Sequence, residues 1–150
     1  DYVALTKSAS GGESNSAAQA SSGSGIGEQI AAFAKQFLGT PYVWAAESPE
    51  EGFDCSGLVS YCFQSFGYST NRTAATLYSN GMAVEKSDLQ PGDAVFFRSD
   101  GSSTISHVGL YIGNGEMIHA SSSAGKVIIT NIEDSGYYTR NYVGARRIAG

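Results

Sequence analysis

The sequence predicts an α+β fold, in which helices come first along the chain and an antiparallel β-sheet of about five strands follows. Before Gly81 the apolar residues recur at helical spacing, and after it they alternate or form short runs between turn signals. Helices followed by strands, without regular alternation of the two, indicate the α+β class. Of the 150 residues 41% are apolar, which is enough for one core of ordinary size, so we expect one domain.

The charge balance argues against a nucleic-acid partner, and the hydropathy pattern argues against a membrane span or a signal peptide in this sequence. Nine Lys and Arg stand against fourteen Asp and Glu, and the net charge is −5 with both histidines neutral. Because binding to phosphates takes clustered cations, we expect no nucleic-acid partner. The sequence has no run of about 18 apolar residues and no basic segment leading into a short apolar one, so we expect neither a membrane span nor a signal peptide in it.

A segment of low complexity precedes the first helical pattern. Within Ser8–Gly25, fifteen of eighteen residues are Ser, Ala or Gly, a composition that buries too little apolar surface to offset chain entropy. We therefore predict that residues 1–25 are a flexible linker from an upstream module in the same chain, with a simple disordered tail as the alternative. Residues 26–150 are the predicted folded domain.

Three helices are expected in the first part of the domain. Apolar residues form one stripe along each of the first two, and a glycine follows each stripe. Asp54 is the predicted N-cap of the second helix. The predicted helices cover Ile26–Leu38, Cys55–Phe66 and Thr73–Ser79, and a surface loop over Thr40–Phe53 separates the first two.

Five strands are expected in the second part. Each is a short apolar or alternating run, and turn signals such as Pro91-Gly92-Asp93 bound the runs. The predicted strands are Ala94–Arg98, Ile105–Ile112, Glu116–Ala120, Lys126–Ile132 and Tyr142–Ile148.

The two cysteines lie on one predicted helix and have different surroundings. Cys55 and Cys62 are seven residues apart, about 10 Å along a helix, which is too far for a disulfide. Cys62 falls mid-helix on the apolar stripe, where a packing role is expected. Cys55 falls in the first turn, where free backbone NH groups and the helix dipole favour a thiolate. The dipole contributes only roughly 0.3 to 2 kcal/mol, so a reactive Cys55 requires a histidine partner, and the Asp54 carboxylate is expected to turn away from the sulfur.

Both histidines of the chain fall in the predicted hairpin Ile105–Ala120. The length of the loop decides whether they meet. A three-residue loop, Gly113–Gly115, places Gly109 opposite His119 and makes His107 a diagonal neighbour on the same face. A two-residue loop would place His119 opposite Leu110, on the other face. The sequence leaves the loop length open, and the hypothesis that follows takes the first register.

In that register a thiol, an imidazole and an orienting group come together. His107 accepts the proton of Cys55, and His119 fixes which ring nitrogen of His107 faces the sulfur. A single histidine is more often a structural residue, but two on one face of one hairpin favour a catalytic pair. Zinc is the competing interpretation, because one Cys and two His are legitimate ligands. The sequence has no second close-spaced ligand pair, so we predict no metal.

Four blocks of the sequence resemble, in the same order, the motifs of the NlpC/p60 family of papain-like cell-wall cysteine endopeptidases. They are Pro41–Trp44, Phe53–Val59, Leu89–Phe97, and His107–Gly113 with Ile118–Ala120. The resemblance implies a papain-like fold and hydrolysis of peptidoglycan stem peptides, usually at the bond between the γ-carboxyl of D-glutamate and the diamino acid. It implies that Cys55 is the nucleophile, His107 the base and His119 the third catalytic group. It also implies a secreted, cell wall-associated enzyme without a cofactor.

The resemblance implies substrate-binding residues as well. Tyr42 matches a tyrosine beside the nucleophile that assists the oxyanion region, and Trp44 matches a tryptophan that lines the cleft. Asp54 and Ser56 match residues that contact the stem peptide. One departure is visible, because Ala45-Ala46 stands where the family commonly has Gly-Gly, and the added methyl groups put the subsite preference in doubt.

Two other functions remain open from the sequence. One is a wall-binding module with a silent site. The other keeps the thiol chemistry and changes the bond, as in an N-acetylmuramoyl-L-alanine amidase or an acyl transferase. Because the wall is anionic and the chain has a net charge of −5, we expect an upstream module to supply wall targeting.

Overall fold

A computed structural model describes residues 25–149 of the chain. The predicted linker lies outside these residues except for Gly25, and so does Gly150 at the end of the predicted domain. Within the described part, no helix combines the length and the hydropathy needed to cross a bilayer.

The helices begin where the sequence predicts them. Helix α1 (Ile26–Ala34) continues as a 3₁₀ turn over Lys35–Phe37, so the two together fill nearly all of the first predicted helix. Helix α2 (Cys55–Ser65) has Asp54 as its N-cap, as predicted. The predicted third helix is a single turn, α3 (Ala74–Leu77), with a capping box at its start.

One antiparallel sheet contains the five predicted strands and one more. Its strands in chain order are β3 (Met82–Val84), β4 (Ala94–Arg98), β5 (Ile105–Gly113), β6 (Glu116–Ser121), β7 (Lys126–Asn131) and β8 (Tyr142–Arg147). The order across the sheet is β3-β8-β4-β5-β6-β7. The additional strand, β3, lies at one edge and is mostly exposed, so its residues show no alternation that sequence reasoning could detect.

The predicted surface loop holds a small hairpin. Strands β1 (Glu47–Ser48) and β2 (Gly52–Phe53) pair as a two-stranded sheet just before α2. At its other end the loop is tied to the main sheet, because the backbone NH of Tyr42 donates to the carbonyl of Gly125 at 2.9 Å. The loop is therefore fixed at both ends.

Both faces of the sheet are covered. The larger core lies between the sheet and the helices, and β5 and β6 contribute Val108, Leu110, Ile118 and Ala120 to it. The opposite face carries a smaller cluster with Phe97, Tyr111, Met117 and Ile132. A short helical turn, α4 (Tyr137–Arg140), adds Tyr138 to this second cluster.

The β5–β6 hairpin has a shorter turn than the three-residue loop, and yet the two histidines stand in the expected register. Gly113 pairs with Glu116, so the turn has two residues, Asn114 and Gly115, and the predicted three-residue loop was wrong. Both turn residues have positive φ, as a type I′ turn requires. The register then shifts by one residue between Tyr111 and Gly113, and this irregularity returns the later residues to the predicted pairing.

Candidate active site

The predicted thiol approaches the sheet near the end of the β5–β6 ladder. The ladder between these strands ends at the pair Leu110–Ile118, although both strands continue. Beyond that pair the thiol of Cys55, the first residue of α2, interacts with the backbone NH of Val108. The sulfur is partly exposed and lies beside the strand that carries His107.

The two imidazoles meet on one side of the hairpin, as predicted. His107 Nε2 and His119 Nδ1 are 2.8 Å apart, and the ring planes are nearly perpendicular. His119 is fully buried. Gly109 leaves room for this pair, because a Cβ there would lie 3.2 Å from the Cβ of His119 and would collide with the sulfur of Met117.

Thr130 extends the pair into a chain of three groups. Its Oγ1 lies 2.8 Å from His119 Nε2. The hydrogen bond to His119 uses Nε2 of His107, so Nδ1 is the ring nitrogen left to accept a proton. When His107 is to accept a proton at Nδ1, it donates from Nε2 to His119 Nδ1, and His119 then donates from Nε2 to Thr130 Oγ1. Sequence reasoning missed Thr130, although it is the diagonal neighbour of His119 across the β6–β7 ladder.

Burial keeps both imidazoles neutral near pH 7. Desolvation lowers the pKa of His107 to about 4. It also lowers the pKa of His119, to about 3, and the neighbouring His107 adds to the effect. Neither ring is therefore an imidazolium in the resting protein.

The thiol is also neutral at rest. Burial raises the pKa of Cys55, and the Asp54 carboxylate acts in the same direction, while the backbone NH groups of Val108, Ser56 and Cys55 itself act against them. The expected thiolate preference at the helix start is thus outweighed by desolvation. Among the described hydrogen bonds, one joins His107 to His119 and none joins it to the thiol, as is common before a substrate binds.

Asp54 and Ser56, predicted to bind substrate, are held by partners inside the protein. Asp54 caps α2 by accepting from the backbone NH of Gly57 at 2.7 Å, so it turns away from the sulfur as predicted. Arg72 reaches both oxygens of Asp54 at 3.2 Å and donates to Ser56 Oγ at 2.7 Å. Sequence reasoning missed Arg72, which lies between α2 and α3 with no periodic pattern around it.

Tyr42 and Trp44 occupy different positions relative to the thiol. Burial raises the pKa of Tyr42, and Cys55 raises it further, which places the phenol near the sulfur. Trp44 is 82% exposed at the surface of the loop. Ala45 has φ of +66°, a left-handed conformation that a glycine adopts without strain.

A tyrosine that the sequence analysis did not single out also borders the site. The ring of Tyr138 packs against both imidazoles, and burial raises the pKa of its phenol, with Tyr137 and Cys55 acting in the same direction.

Within residues 25–149, no three His, Cys, Asp or Glu side chains are grouped as metal ligands.

The chain belongs to the NlpC/P60 family. The model of this family matches residues 39–147, which include all seven predicted site residues. The sequence resemblance and the predicted α+β, papain-like fold class are therefore confirmed.

Curated relatives show the same relationship. The chain is 45% identical over 124 residues to a gamma-DL-glutamyl hydrolase of Bacillus subtilis, 42% over 116 residues to the murein DD-endopeptidase MepH of Escherichia coli, and 43% over 114 residues to a gamma-D-glutamyl-L-lysine dipeptidyl-peptidase of Bacillus cereus. These matches cover 81%, 75% and 75% of the chain. They cover only 30%, 42% and 34% of the three relatives.

The fold also matches a solved structure. The crystal structure of an NlpC/P60 family protein from Bacillus cereus superposes with a TM-score of 0.77 at 39% identity. The match covers 83% of this chain and 41% of that one.

Proposed function

We propose that this domain is a peptidoglycan hydrolase, a cysteine endopeptidase that cleaves stem peptides between the γ-carboxyl of D-glutamate and the diamino acid. The observation that carries the proposal is the chain of hydrogen bonds from His107 through His119 to Thr130, beside the thiol of Cys55. Family membership supports a peptidase. The names of two of the three relatives specify a γ-glutamyl bond, and this supports the choice of bond.

Acylation begins from a neutral thiol and a neutral imidazole. As the sulfur of Cys55 bonds to the carbonyl carbon of the stem peptide, its proton passes to Nδ1 of His107. His119 accepts the Nε2 hydrogen bond of His107 and stabilises the imidazolium that forms. The backbone NH of Cys55, at the start of α2, and the phenol of Tyr42 donate to the developing oxyanion.

Departure of the amine completes acylation, and hydrolysis of the thioester then returns the enzyme to its starting state. His107 gives its proton to the departing amine of the diamino acid as the carbon–nitrogen bond breaks, which leaves a thioester on Cys55. Water then attacks the thioester carbon while His107 accepts a proton from it. The acyl half leaves as a carboxylic acid, which ionises in solution, and the sulfur recovers its proton from His107.

The substrate lies along the start of α2 in this proposal. Trp44, on the exposed surface of the loop, offers a face to the stem peptide. Asp54 and Ser56 contribute through the network with Arg72, whose side chain is 36% exposed and therefore accessible to a substrate carboxylate. Because peptidoglycan lies outside the cytoplasmic membrane, the proposed function requires a secreted, wall-associated protein.

The domain assignment belongs to the same proposal. Residues 26–150 form the catalytic unit, and residues 1–25 link it to an upstream module that supplies wall affinity. A chain trimmed to residues 26–150 is expected to cleave small muropeptides at the rate of the full sequence. A large loss of that activity on trimming would contradict the assignment.

Product masses test the reaction. Two defined muropeptides, one with diaminopimelate and one with lysine at the third position, are incubated with the protein and with Cys55→Ala, and the products are identified by mass spectrometry. The proposal predicts a fragment that ends in D-glutamate, formed only when Cys55 is present. Release of the whole stem peptide from the sugar lactate would indicate the amidase, a new peptide bond would indicate the acyl transferase, and binding without cleavage would indicate the silent module.

A further inference from the structure

Tyr138 forms a three-ring cluster with the two histidines. Its ring centroid lies 5.6 Å from that of His107 at an interplanar angle of 33°, and 5.2 Å from that of His119 at 82°. Phe97 packs against the other rings, at 5.1 Å from Tyr138 and 6.2 Å from His107. Among the described aromatic side chains, Tyr138 alone contacts both imidazoles.

An ion pair holds the turn that presents this ring. Arg140, two residues after Tyr138, donates from Nε and Nη2 to the two oxygens of Asp100 at 2.8 and 2.7 Å. Asn141 donates to the same carboxylate at 2.8 Å. Asp100 lies in the loop between β4 and β5, the strand that carries His107. The ion pair therefore ties the Tyr138 turn to the segment that leads into the histidine strand.

Hydrogen bonds within the turn complete its support. Thr139 Oγ1 donates to the carbonyl of Ile132 at 2.9 Å, and Ser135 Oγ accepts from the backbone NH of Tyr138 at 3.1 Å. The Thr139 contact joins the turn to the residue that follows β7, and the Ser135 contact lies within the turn itself. Tyr138 is thus fixed from both sides, although it lies outside the sheet.

We propose that Tyr138 is a positioning residue for the His107–His119 pair, and that the Asp100–Arg140 ion pair sets its position. Its ring covers one face of His107, keeps water away from it and limits rotation of both imidazoles. The inference rests on the proposed function for its kinetic consequence, since a base in the wrong orientation cannot receive the proton of the thiol.

The effect of the ring on His107 is electrostatic as well as steric. Removing the ring admits more water to the partly buried imidazole of His107, and hydration favours the charged form. The titratable rings that contact this imidazole are those of His119 on β6 and Tyr138 on α4. Cys55, at the start of α2, interacts with Val108 beside His107 and with Tyr138, and Asp54 and Tyr42 interact with Cys55.

Histidine NMR tests the inference without relying on turnover. The chain has only two histidines, so nitrogen-detected titration resolves each ring and its tautomer. In the protein itself we expect His107 to titrate well below 6.5, with its proton on Nε2. In Tyr138→Leu we expect the His107 midpoint to rise by about one pH unit or more, and in Tyr138→Phe, which keeps the ring, we expect no change. A His107 midpoint that is the same in Tyr138→Leu as in the unsubstituted protein overturns the inference.

Kinetics on a defined muropeptide supply the second readout. Tyr138→Leu is expected to lower kcat about tenfold or more with little change in KM, and Tyr138→Phe to stay within about threefold. Arg140→Gln is expected to shift kcat and the His107 midpoint in the same direction by a smaller amount, and it serves if Tyr138→Leu fails to fold. Equal losses in Tyr138→Leu and Tyr138→Phe would overturn the inference, because the hydroxyl and not the ring would then be the acting group.

A matched control separates positioning from general stability. Arg147, on β8, makes a two-oxygen ion pair of similar geometry with Asp93, at 2.9 Å for both contacts, although this pair is more buried than the Asp100–Arg140 pair. Arg147→Gln is expected to lower stability and leave the His107 midpoint unchanged. If the unsubstituted protein cleaves no muropeptide, the proposed function fails, while the titration still decides whether Tyr138 shields His107.

Discussion

Cys55 and Cys62 share one helix and have opposite environments. Cys62 is fully buried in the core between α2 and the sheet, and burial alone raises the pKa of its thiol far above the usual range. Cys55 is partly exposed at the start of the helix, where three backbone NH groups interact with its sulfur. Two turns of helix therefore separate a thiol that only packs from one that a substrate can reach.

The difference lies in what surrounds each sulfur. The helix dipole at the first turn does not overcome desolvation, because the pKa of Cys55 is also raised. What distinguishes Cys55 is its contact with the backbone of β5 at Val108 and the imidazole pair carried by β5 and β6. In the proposed reaction, proton transfer therefore accompanies the attack, and no preformed thiolate is required.

Substituting the two cysteines one at a time gives the largest expected difference in activity. Cys55→Ala is expected to reduce muropeptide cleavage on the order of 10⁴-fold or more, since the nucleophile is lost, while the thermal midpoint stays within about a few degrees. Cys62→Ser is expected to retain turnover and lose about 1 to 3 kcal/mol of stability, because a hydroxyl is buried without a partner. Urea unfolding and product analysis on both variants check this, and full turnover in Cys55→Ala would refute the nucleophile assignment.

Acid titration examines the neutral histidines beside Cys55. An unfolded histidine titrates near 6.5, whereas the folded pKa values are about 4 for His107 and about 3 for His119. Between pH 6.5 and 4 the unfolded chain therefore binds more protons than the folded one. The free energy of unfolding should fall as the pH falls through this window, by on the order of a few kcal/mol.

Urea unfolding from pH 7 to pH 4 measures this slope. His119→Asn is the matched variant, because it removes one of the two buried titrating rings. Its slope should be visibly shallower than that of the unsubstituted protein. A free energy of unfolding that is level across the window would contradict neutral, buried histidines.

The orienting role of His119 gives a smaller kinetic contrast. His119→Ala is expected to lower kcat about 10²-fold, because nothing then accepts the Nε2 hydrogen bond of His107. His119→Asn is expected to stay within about tenfold, since an amide oxygen can accept the same hydrogen bond. Steady-state kinetics on one muropeptide compare the two, and an equal loss in both would argue against an orienting role.

The sequence predicts the parts of this site that follow strand and helix periodicity. The common face of His107 and His119 and the Asp54 cap are examples, and the structure confirms both. The irregularity near Ile112 could not be predicted, because a single extra residue leaves the apolar pattern of the hairpin unchanged. The correct face was thus predicted from the wrong loop length.

Two of the residues that sequence reasoning missed, Arg72 and Tyr138, reach the site from segments without periodicity. Arg72 precedes a one-turn helix, and Tyr138 lies within another. Their contacts connect residues far apart in the chain, such as Arg72 with Asp54 and Arg140 with Asp100. No local sequence pattern predicts such contacts, because only the folded chain brings these segments together.

The loop before Cys55 gives the smallest expected effect. Ala45 has a left-handed backbone that costs an L-residue about 1 to 2 kcal/mol, and glycine relieves it at some cost in unfolded-chain entropy. Ala45→Gly is therefore expected to raise the free energy of unfolding by roughly 0.5 kcal/mol. The buried neighbour Ala46, whose φ is not positive, is the control, and Ala46→Gly should lower stability. If urea unfolding finds no stabilisation by Ala45→Gly, the loop is not strained at Ala45.

Alkylation of the folded protein tests the central claim most directly. Iodoacetamide is applied at pH 7, and peptide mass spectrometry follows modification of each cysteine while muropeptide cleavage is assayed on the same samples. The account predicts that Cys55 alone is modified, that substrate slows its modification, and that activity falls in proportion to it. Full activity after complete modification of Cys55, or modification of Cys62 at the same rate, would contradict the account.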